Sequence, residues 1–549
     1  MKAKLVTKIF NQALKDIGVL DEYDLSFETP KNPEHGDLTT NIAMRLAKSL
    51  RKKPIEIANQ LVQLIKGQSD LIEDINIAGP GFINIKFSSK VYANALKELY
   101  QKGNNICKLD FGNNLKVNVE YVSVNPTGLL HLGHSRNACL GDTIANLYHW
   151  TGHNVTREYY FNNAGNQMNN LAKSIYARYM QILKGVDFPF PEDGYKGDYI
   201  KEIAQEFIDK NGDKFTEESQ ENLFKFRKAG EEWSFKKIKA TLARMNINQE
   251  VFFNEDSLYI DGKIEKLINT FKDKGLSYEK DGAIWLKFSE MGLNDDRVIV
   301  KSTGEPTYRL PDIAYHIDKF ERGYELCIDI FGADHIATIP DVKAAVKFMG
   351  YDADKIHPII HQFVTLTENG EQVKMSKRTG KSYTLDDLID ELGADVVRFF
   401  LLMRSYNSHL EFDLGLAREQ SEKNPVFYLQ YANARISSLI DNAIDAGATI
   451  PKESDINFEV LIHPNELSLI NEAMNSERII KSATQKCEPQ ILADYLRILA
   501  REFHIFYHNC RIIGVEPELQ TARLALAITI KNIIKNGLTI LGISAPERM

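Results

Sequence analysis

The chain has 549 residues, 43% of them hydrophobic and 26% charged, with a formal net charge of −8. That length accommodates several domains with large cores, and the acidic balance argues against indiscriminate coating of nucleic acid while leaving room for a local basic groove. The five cysteines (Cys107, Cys139, Cys327, Cys487, Cys510) lie far apart with no CxxC pair, and no run is apolar enough to span a bilayer, so neither a zinc knot, a disulfide framework nor a membrane anchor is expected and a reducing cytoplasm fits.

Residues 1–112 are expected to form a small α/β domain. Helical patterns cover about the first twenty residues and roughly Leu38 to Ile65. The stretch DINIAGPGFINIKF, Asp74 to Phe87, alternates on both sides of Gly79-Pro80-Gly81 and reads as a hairpin. Lys48, Arg51, Lys52 and Lys53 form a basic cluster that could meet phosphate, though such a cluster is more often simply a solvated helix face.

The central stretch is Val117 to His134, VNVEYVSVNPTGLLHLGH. Its first part alternates as a strand should, through Val124, and Asn125-Pro126-Thr127-Gly128 breaks it. His131 and His134 follow, with Gly133 between them, and Ser135 to Trp150 has helical periodicity. A second strand is expected over Asn154 to Tyr160, which makes a βαβ unit with its chemistry at the carboxyl end of the first strand. A helix N-terminus with two imidazoles and a bare glycine suits a polyphosphate, through unpaired N–H groups and close backbone approach. The plain alternative is that the two histidines are incidental packing or surface residues.

A helical insertion is expected near 166–250, with helices over Asn166 to Leu183 and Ser234 to Met245. The sheet is expected to resume near Val251 to Tyr259, Ala283 to Phe288 and Arg297 to Lys301. TYRLPDIAYH, Thr307 to His316, places Tyr308 and Asp312 one helical turn apart. An apolar strand from Leu326 ends in FGADH, whose polar groups, Asp334 among them, point toward the same crevice. A guanidinium favours in-plane carboxylates and an aromatic face, which Glu120, Asp312 and Tyr308 offer, although each also reads as an ordinary ion pair or core residue.

Val373 to Gly380, VKMSKRTG, sets Lys374 and Lys377 around Met375 and Ser376 in a polar loop. Two mobile ammonium groups suit charge developing on a triphosphate. A helix is expected to start at Thr384, with Asp387 three residues later completing its cap, and another to run from Ala394 to Arg404. From about Leu416 the pattern is helical throughout, over Asn424 to Asp445, Pro464 to Lys486, Gln490 to Cys510 and Leu519 to Leu541, as in a bundle. Tyr428, Tyr431, Phe506 and Tyr507, with Arg435 and Arg511, are suited to stacking on unpaired bases, while a helical core would turn most of the aromatics inward.

His131–His134 and the later lysine loop together resemble the HIGH and KMSKS signatures of class I aminoacyl-tRNA synthetases, with Leu132 and Arg378 as small departures. EYVSVN before HLGH, YKGDYI (Tyr195 to Ile200), TYRLPDIAYH, NPVFYLQYANARI (Asn424 to Ile436) and ISAPERM (Ile543 to Met549) resemble the arginyl-tRNA synthetase family over essentially the whole chain. PEHGDLTTNIA resembles that family's N-terminal extension, which meets the D-loop corner of tRNA.

The resemblance implies an α/β fold: a Rossmann-like parallel-sheet catalytic domain (113–415), preceded by a small α/β tRNA-contacting domain (1–112) and followed by an all-α helical anticodon-binding bundle (416–549). It implies ATP-dependent ligation of L-arginine to its tRNA through arginyl-adenylate. His131, His134, Lys374 and Lys377 would be catalytic. Gly133, Asp334 and Met375 would join them in binding ATP. Glu120, Tyr308 and Asp312 would take the guanidinium, and Ser123 and Asn125 the α-amino and carboxylate end. Some family members use a glutamine near Gly332 to His335, which is absent here, so its replacement is open.

ATP with Mg²⁺ would enter as substrate, with no tightly bound cofactor and no protein metal site. No feature forces a dimer, and a monomer is expected. Bound tRNA would be needed for the first step. Two other readings remain: another class I nucleotidyl-transfer enzyme, which arginine-dependent exchange would eliminate, and a non-catalytic tRNA- or protein-binding paralogue, which would be free to lose the histidines and lysines.

Overall fold

The computed structural model describes residues 2–549 except 20–24, 29, 31, 33–34, 334–335 and 374–382. In the N-terminal region α1 (Lys2–Asp16) precedes β1 (Leu38–Thr40), α2 (Ile42–Leu50), α3 (Pro54–Ile65), β2 (Ile72–Ala78) and β3 (Phe82–Phe87). The strands form an antiparallel sheet in the order β1-β3-β2, and β2–β3 is the expected hairpin. The helical stretch expected from Leu38 is divided. Leu38–Thr40 pairs with Ile85–Ile83, and Arg51 adopts a left-handed conformation before Pro54 starts α3.

Next, α4 (Ser89–Lys102) leaves that sheet and packs on helices near the other end of the sequence. Tyr100 donates to the Pro451 carbonyl, Lys102 pairs with Glu477, and Asn536 donates to the carbonyls of Asn104 and Ile106.

The centre of the molecule is built from β4 (Lys116–Glu120), α5 (Leu132–Trp150), β5 (Asn154–Phe161), the insertion α6 (Gly165–Lys184), α7 (Asp198–Asn211) and α8 (Gln220–Arg244), then β6 (Val251–Asn254), α9 (Asp256–Ile260) and α10 (Lys263–Asp273). After β7 (Ser277–Lys280), β8 (Ala283–Leu286) and β9 (Arg297–Val300) come α11 (Arg309–Glu321), β10 (Leu326–Gly332), α12 (Ile339–Phe348) and β11 (Ile356–His361).

Among the described residues the main sheet runs β11-β10-β4-β5-β6, every pairing parallel. Connections from β4 proceed to one side, whereas β10 and β11 lie on the other. The crevice between the carboxyl ends of β4 and β10 is therefore the topological switch point where such sheets bind ligands. The insertion packs around its own apolar cluster, including Leu171, Ile175, Phe226 and Trp233.

Two expectations about this sheet are corrected. Strand β4 stops at Glu120 rather than continuing through Val124, because Val122 and Ser123 take positive φ values of 68° and 45°. A β-branched residue adopts that conformation only when its surroundings enforce it. Here the Asn137 side chain on α5 accepts the Val122 N–H at 2.6 Å. The second correction concerns Ala283–Leu286 and Arg297–Val300, which do not rejoin the main sheet. They form a separate antiparallel sheet with Ser277–Lys280, since Asp281-Gly282, both at positive φ, makes a tight hairpin.

The C-terminal part begins with β12 (Val364–Glu368) and β13 (Glu371–Gln372), then α13 (Leu385–Leu392), α14 (Ala394–Leu402), β14 (Leu410–Asp413) and α15 (Leu414–Arg418). Thr384 caps α13 with Asp387 in reciprocal hydrogen bonds, as its sequence predicts. The bundle follows as α16 (Pro425–Asp445), α17 (Pro464–Ala473), α18 (Ser476–Lys486), α19 (Pro489–Asn509) and α20 (Pro517–Ile540). The single helical run expected over Pro464 to Lys486 is broken at Met474–Asn475. Among the described residues no helix is long and apolar enough to cross a membrane.

Candidate active site

His131 is the N-cap of α5. Its Nδ1 accepts the Gly133 N–H at 3.2 Å, while His134 Nδ1 faces the His131 N–H at 3.4 Å. A nitrogen that accepts is unprotonated, so each neutral ring carries its proton on Nε2, where it is a donor. The rings stack with centroids 3.6 Å apart. Burial lowers the pKa of both, and His134 falls to about 3 because His131 and His361 also oppose a second positive charge. The pair therefore presents two neutral Nε2–H donors. A Cβ at Gly133 would stand 3.1 Å from His131 Cε1, so the glycine leaves room for the ring to cap the helix.

Across the crevice, neighbouring strands place Asp329, Glu120 and Glu158 side by side in register. Like charges in a row repel. Helix α11 and its C-cap answer with His316, Lys319 and Arg322, three residues apart and thus on one face. Lys319 Nζ lies 2.7 Å from Glu120 and 2.5 Å from Asp329, fully buried between them. Arg322 holds Glu158 through two bonds of 2.6 and 2.8 Å, and the Tyr315 hydroxyl donates to the same carboxylate at 2.5 Å. His316 contacts the Asp312 carbonyl through Nδ1 at 2.8 Å and Asp329 through Nε2 at 3.2 Å. Both partners only accept, so the ring is an imidazolium. Burial alone would lower its pKa, but Asp329 raises it overall.

Asp312 is the remaining charge. It is half-buried, and its carboxylate has no hydrogen-bond or ion-pair partner among the described residues. Burial pushes its carboxyl up to about 7, with Glu120 and Glu255 adding to the rise and His316 and Lys319 opposing it.

The structure places the other sequence-predicted residues as follows. Ser123 donates to Glu120 Oε1 at 3.0 Å and accepts the Tyr160 N–H at 3.1 Å, so its hydroxyl braces the end of β4. Asn125 accepts the Asn162 N–H at 2.9 Å and donates to Gln167 at 2.8 Å. Tyr308 opens α11 one turn before Asp312 and is 83% exposed, so it is a surface ring and not a core tyrosine. Asp334, Lys374, Met375 and Lys377 lie outside the described residues. The chain on each side of the lysine loop is described: Val373 bonds to Leu366, Thr384 bridges to His131, and Leu385 donates to Leu130 at 2.9 Å.

Lys319, Asp329, His316 and Arg322 escaped the sequence reading. Two signals were available: single acids within the apolar strands VNVE and LCIDIFG, and cations at a three-residue interval in α11. In the bundle, Phe506 is core, while the Arg435 guanidinium lies 5.0 Å from the Tyr431 ring and 4.9 Å from the exposed Tyr507 ring. Arg511 turns back to its own loop at the Ile513 carbonyl.

Three families match the chain: the arginyl tRNA synthetase N-terminal domain over residues 4–87, the class I (R) tRNA synthetase catalytic domain over 95–399, and the DALR anticodon binding domain over 429–549. An arginine–tRNA ligase of Salinibacter ruber is 48% identical, covering all of both chains. Another, of Desulfotalea psychrophila, is 44% identical over 95% of this chain and 94% of its own. The solved arginyl-tRNA synthetase of Thermus thermophilus superposes with a TM-score of 0.74 at 22% identity, covering all of both chains, a likeness of fold.

Proposed function

Because the chain belongs to the arginyl-tRNA synthetase family of class I, we propose that its crevice divides the labour between an arginine pocket at Asp312 and a nucleotide cradle at His131. The enzyme ligates L-arginine to its tRNA at the expense of ATP. The arginine carboxylate attacks the α-phosphorus of ATP, the bond to the bridging oxygen breaks, and pyrophosphate leaves with that electron pair. A hydroxyl of the tRNA's terminal adenosine then attacks the adenylate carbonyl, loses its proton, and expels AMP. For class I chemistry we assign the 2′-hydroxyl. No covalent enzyme intermediate is required, so catalysis rests on positioning and electrostatics.

The observation that carries the residue assignment is the unpartnered Asp312 carboxyl beside Glu120, at the switch point of the sheet. A guanidinium is planar, permanently charged and bidentate, and it supplies the missing cation. Tyr308 offers its exposed ring as a stacking face. Ser123 and Asn125, at the end of β4, meet the α-amino and carboxylate groups.

His131 and His134 donate from Nε2 to phosphate oxygens, aided by the positive end of the α5 dipole, and Gly133 lets the nucleotide approach. Lys374 and Lys377 follow the leaving pyrophosphate, with Met375 and Asp334 completing the ATP contacts. The anchoring of Thr384 to His131 supports this, because it returns the chain beside the histidine loop immediately after the lysines. Mg²⁺ accompanies ATP as part of the substrate. We assign a monomer, since one chain carries every group named, a cytoplasmic setting beside tRNA, and a first step that requires bound tRNA.

ATP–pyrophosphate exchange with each of the twenty amino acids, with and without total tRNA, tests the assignment. Exchange with arginine alone, and only with tRNA, is expected. Exchange with another amino acid would overturn the roles of Glu120, Tyr308 and Asp312, and exchange with arginine equally fast without tRNA would refute the tRNA requirement. Lys377→Ala should lose about tenfold or more in adenylate formation while tRNA binding is largely kept. Unchanged turnover would remove the lysine loop from the mechanism.

A further inference from the structure

Arg136 lies three residues beyond Gly133 on α5, one turn into the helix that the histidines begin. It is fully buried, yet among the described residues no carboxylate pairs with it. Its guanidinium instead gathers three backbone carbonyls: Nη1 donates to Gln362 at 2.8 Å and to Ser408 at 2.9 Å, and Nη2 donates to Ser405 at 2.8 Å. Burial lowers its pKa to about 10, which leaves it charged at neutral pH.

An apolar residue would fill this position without the cost of burying a charge. What the guanidinium supplies is a fixed planar fork that reaches three acceptors at once. Those acceptors belong to a single node. Gln362 follows His361, the last residue of β11, and its N–H bonds to the Tyr406 carbonyl at 2.9 Å. Leu410 donates to Phe363, and β12 then runs parallel to β14 from Val364 onward. The Ser408 hydroxyl also donates to the Ser405 carbonyl, at 2.8 Å, turning that carbonyl toward the node. Strands β12 and β13 lead directly into the lysine loop. One side chain therefore joins the helix bearing His131 and His134 to the root of the strand that feeds Lys374 and Lys377.

We propose that Arg136 is a positioning residue for ATP activation: its clasp on the Gln362, Ser405 and Ser408 carbonyls holds the histidine cradle in place against the node at the root of β12. The positive charge that no carboxylate cancels adds to the field under the polyphosphate. This rests on the assignment of the histidine loop to ATP.

Steady-state aminoacylation, with KM measured separately for ATP, arginine and tRNA, tests it. Arg136→Lys keeps the charge but cannot bridge three carbonyls. It is expected to raise the KM for ATP and lower kcat, each by about tenfold, with the KM values for arginine and tRNA within about twofold of wild type. Arg136→Met should lose more, since it also removes the charge. Ser408→Ala is a milder probe that keeps the guanidinium and removes only the hydroxyl orienting the Ser405 carbonyl, and about a threefold rise confined to the KM for ATP is expected.

If the Lys and Ala variants keep their ATP parameters within twofold, the clasp has no positioning role and the proposal fails. It fails equally if all three KM values shift together with a lowered melting temperature, as for a purely structural contact. Wild-type enzyme that shows no arginine-dependent exchange would instead overturn the underlying assignment of the site.

Discussion

In the proposed arginine pocket, the carboxyl of Asp312 would make recognition sensitive to pH. Its folded-state pKa is raised to about 7, so in the free enzyme it is mostly protonated below that pH and ionised above it. A guanidinium binds the ionised form, so binding displaces a proton and grows stronger as pH rises through 7. The KM for arginine is expected to fall by about tenfold between pH 6 and pH 8, the change in the ionised fraction of a group with that pKa. Asp312→Asn should bind weakly and without this dependence. His134 contributes nothing to the trend, since burial lowers its pKa to about 3. A KM for arginine that is flat from pH 6 to 8 in the wild-type enzyme would remove Asp312 from the pocket.

Secondary elements convert these side chains into a site through how closely they approach. Gly141 on α5 lies directly on Tyr121, and a Cβ there would stand 2.2 Å from the ring. The helix can rest against the end of β4 only because this residue has no side chain. Gly141→Ala is expected to destabilise the protein by about 1–3 kcal/mol by overpacking, and to lower exchange activity because the displaced helix carries His131 and His134. A urea unfolding midpoint and an exchange rate both unchanged from wild type would refute it.

At this scale much was legible beforehand. The β4–α5–β5 unit follows from periodicity and from Gly152, and the α13 cap follows from Thr384 and Asp387. The antiparallel sheet of β7 to β9 was not legible as separate, because a four-residue apolar run does not record which sheet it joins. The end of β4 was misjudged because a side chain on α5, Asn137, diverts the backbone. In the site, the histidine loop was readable as a local pattern. The Lys319–Glu120 pair was not, since its members are 199 residues apart and only the folded sheet brings them together.

For the molecule as a whole, Arg398 is a point where distant regions meet. It is fully buried on α14 and bonds to Asp142 of α5 at 2.6 Å, to the Met245 carbonyl after α8 at 2.7 Å, and to the Leu541 carbonyl after α20 at 3.0 Å. Helices of the catalytic region, the insertion and the bundle thus share one cation. Removing one partner of a buried ion pair leaves the other charge uncompensated. Arg398→Met is therefore expected to cost about 3 kcal/mol, read as a lowered denaturation midpoint, with Arg157 at 3.6 Å retaining part of the compensation for Asp142. A midpoint within error of wild type would show that the shared cation is dispensable.

The seating of α4 has a consequence for how the protein is made. Its apolar face, which includes Val91, Leu96 and Leu99, is covered largely by helices more than 350 residues later in the chain. At translation rates of 5–20 residues per second, that face waits roughly 20–90 s on the ribosome before α20 emerges to cover it. Throughout that interval the nascent chain displays a sticky helix, so this segment is where a holdase would be needed most.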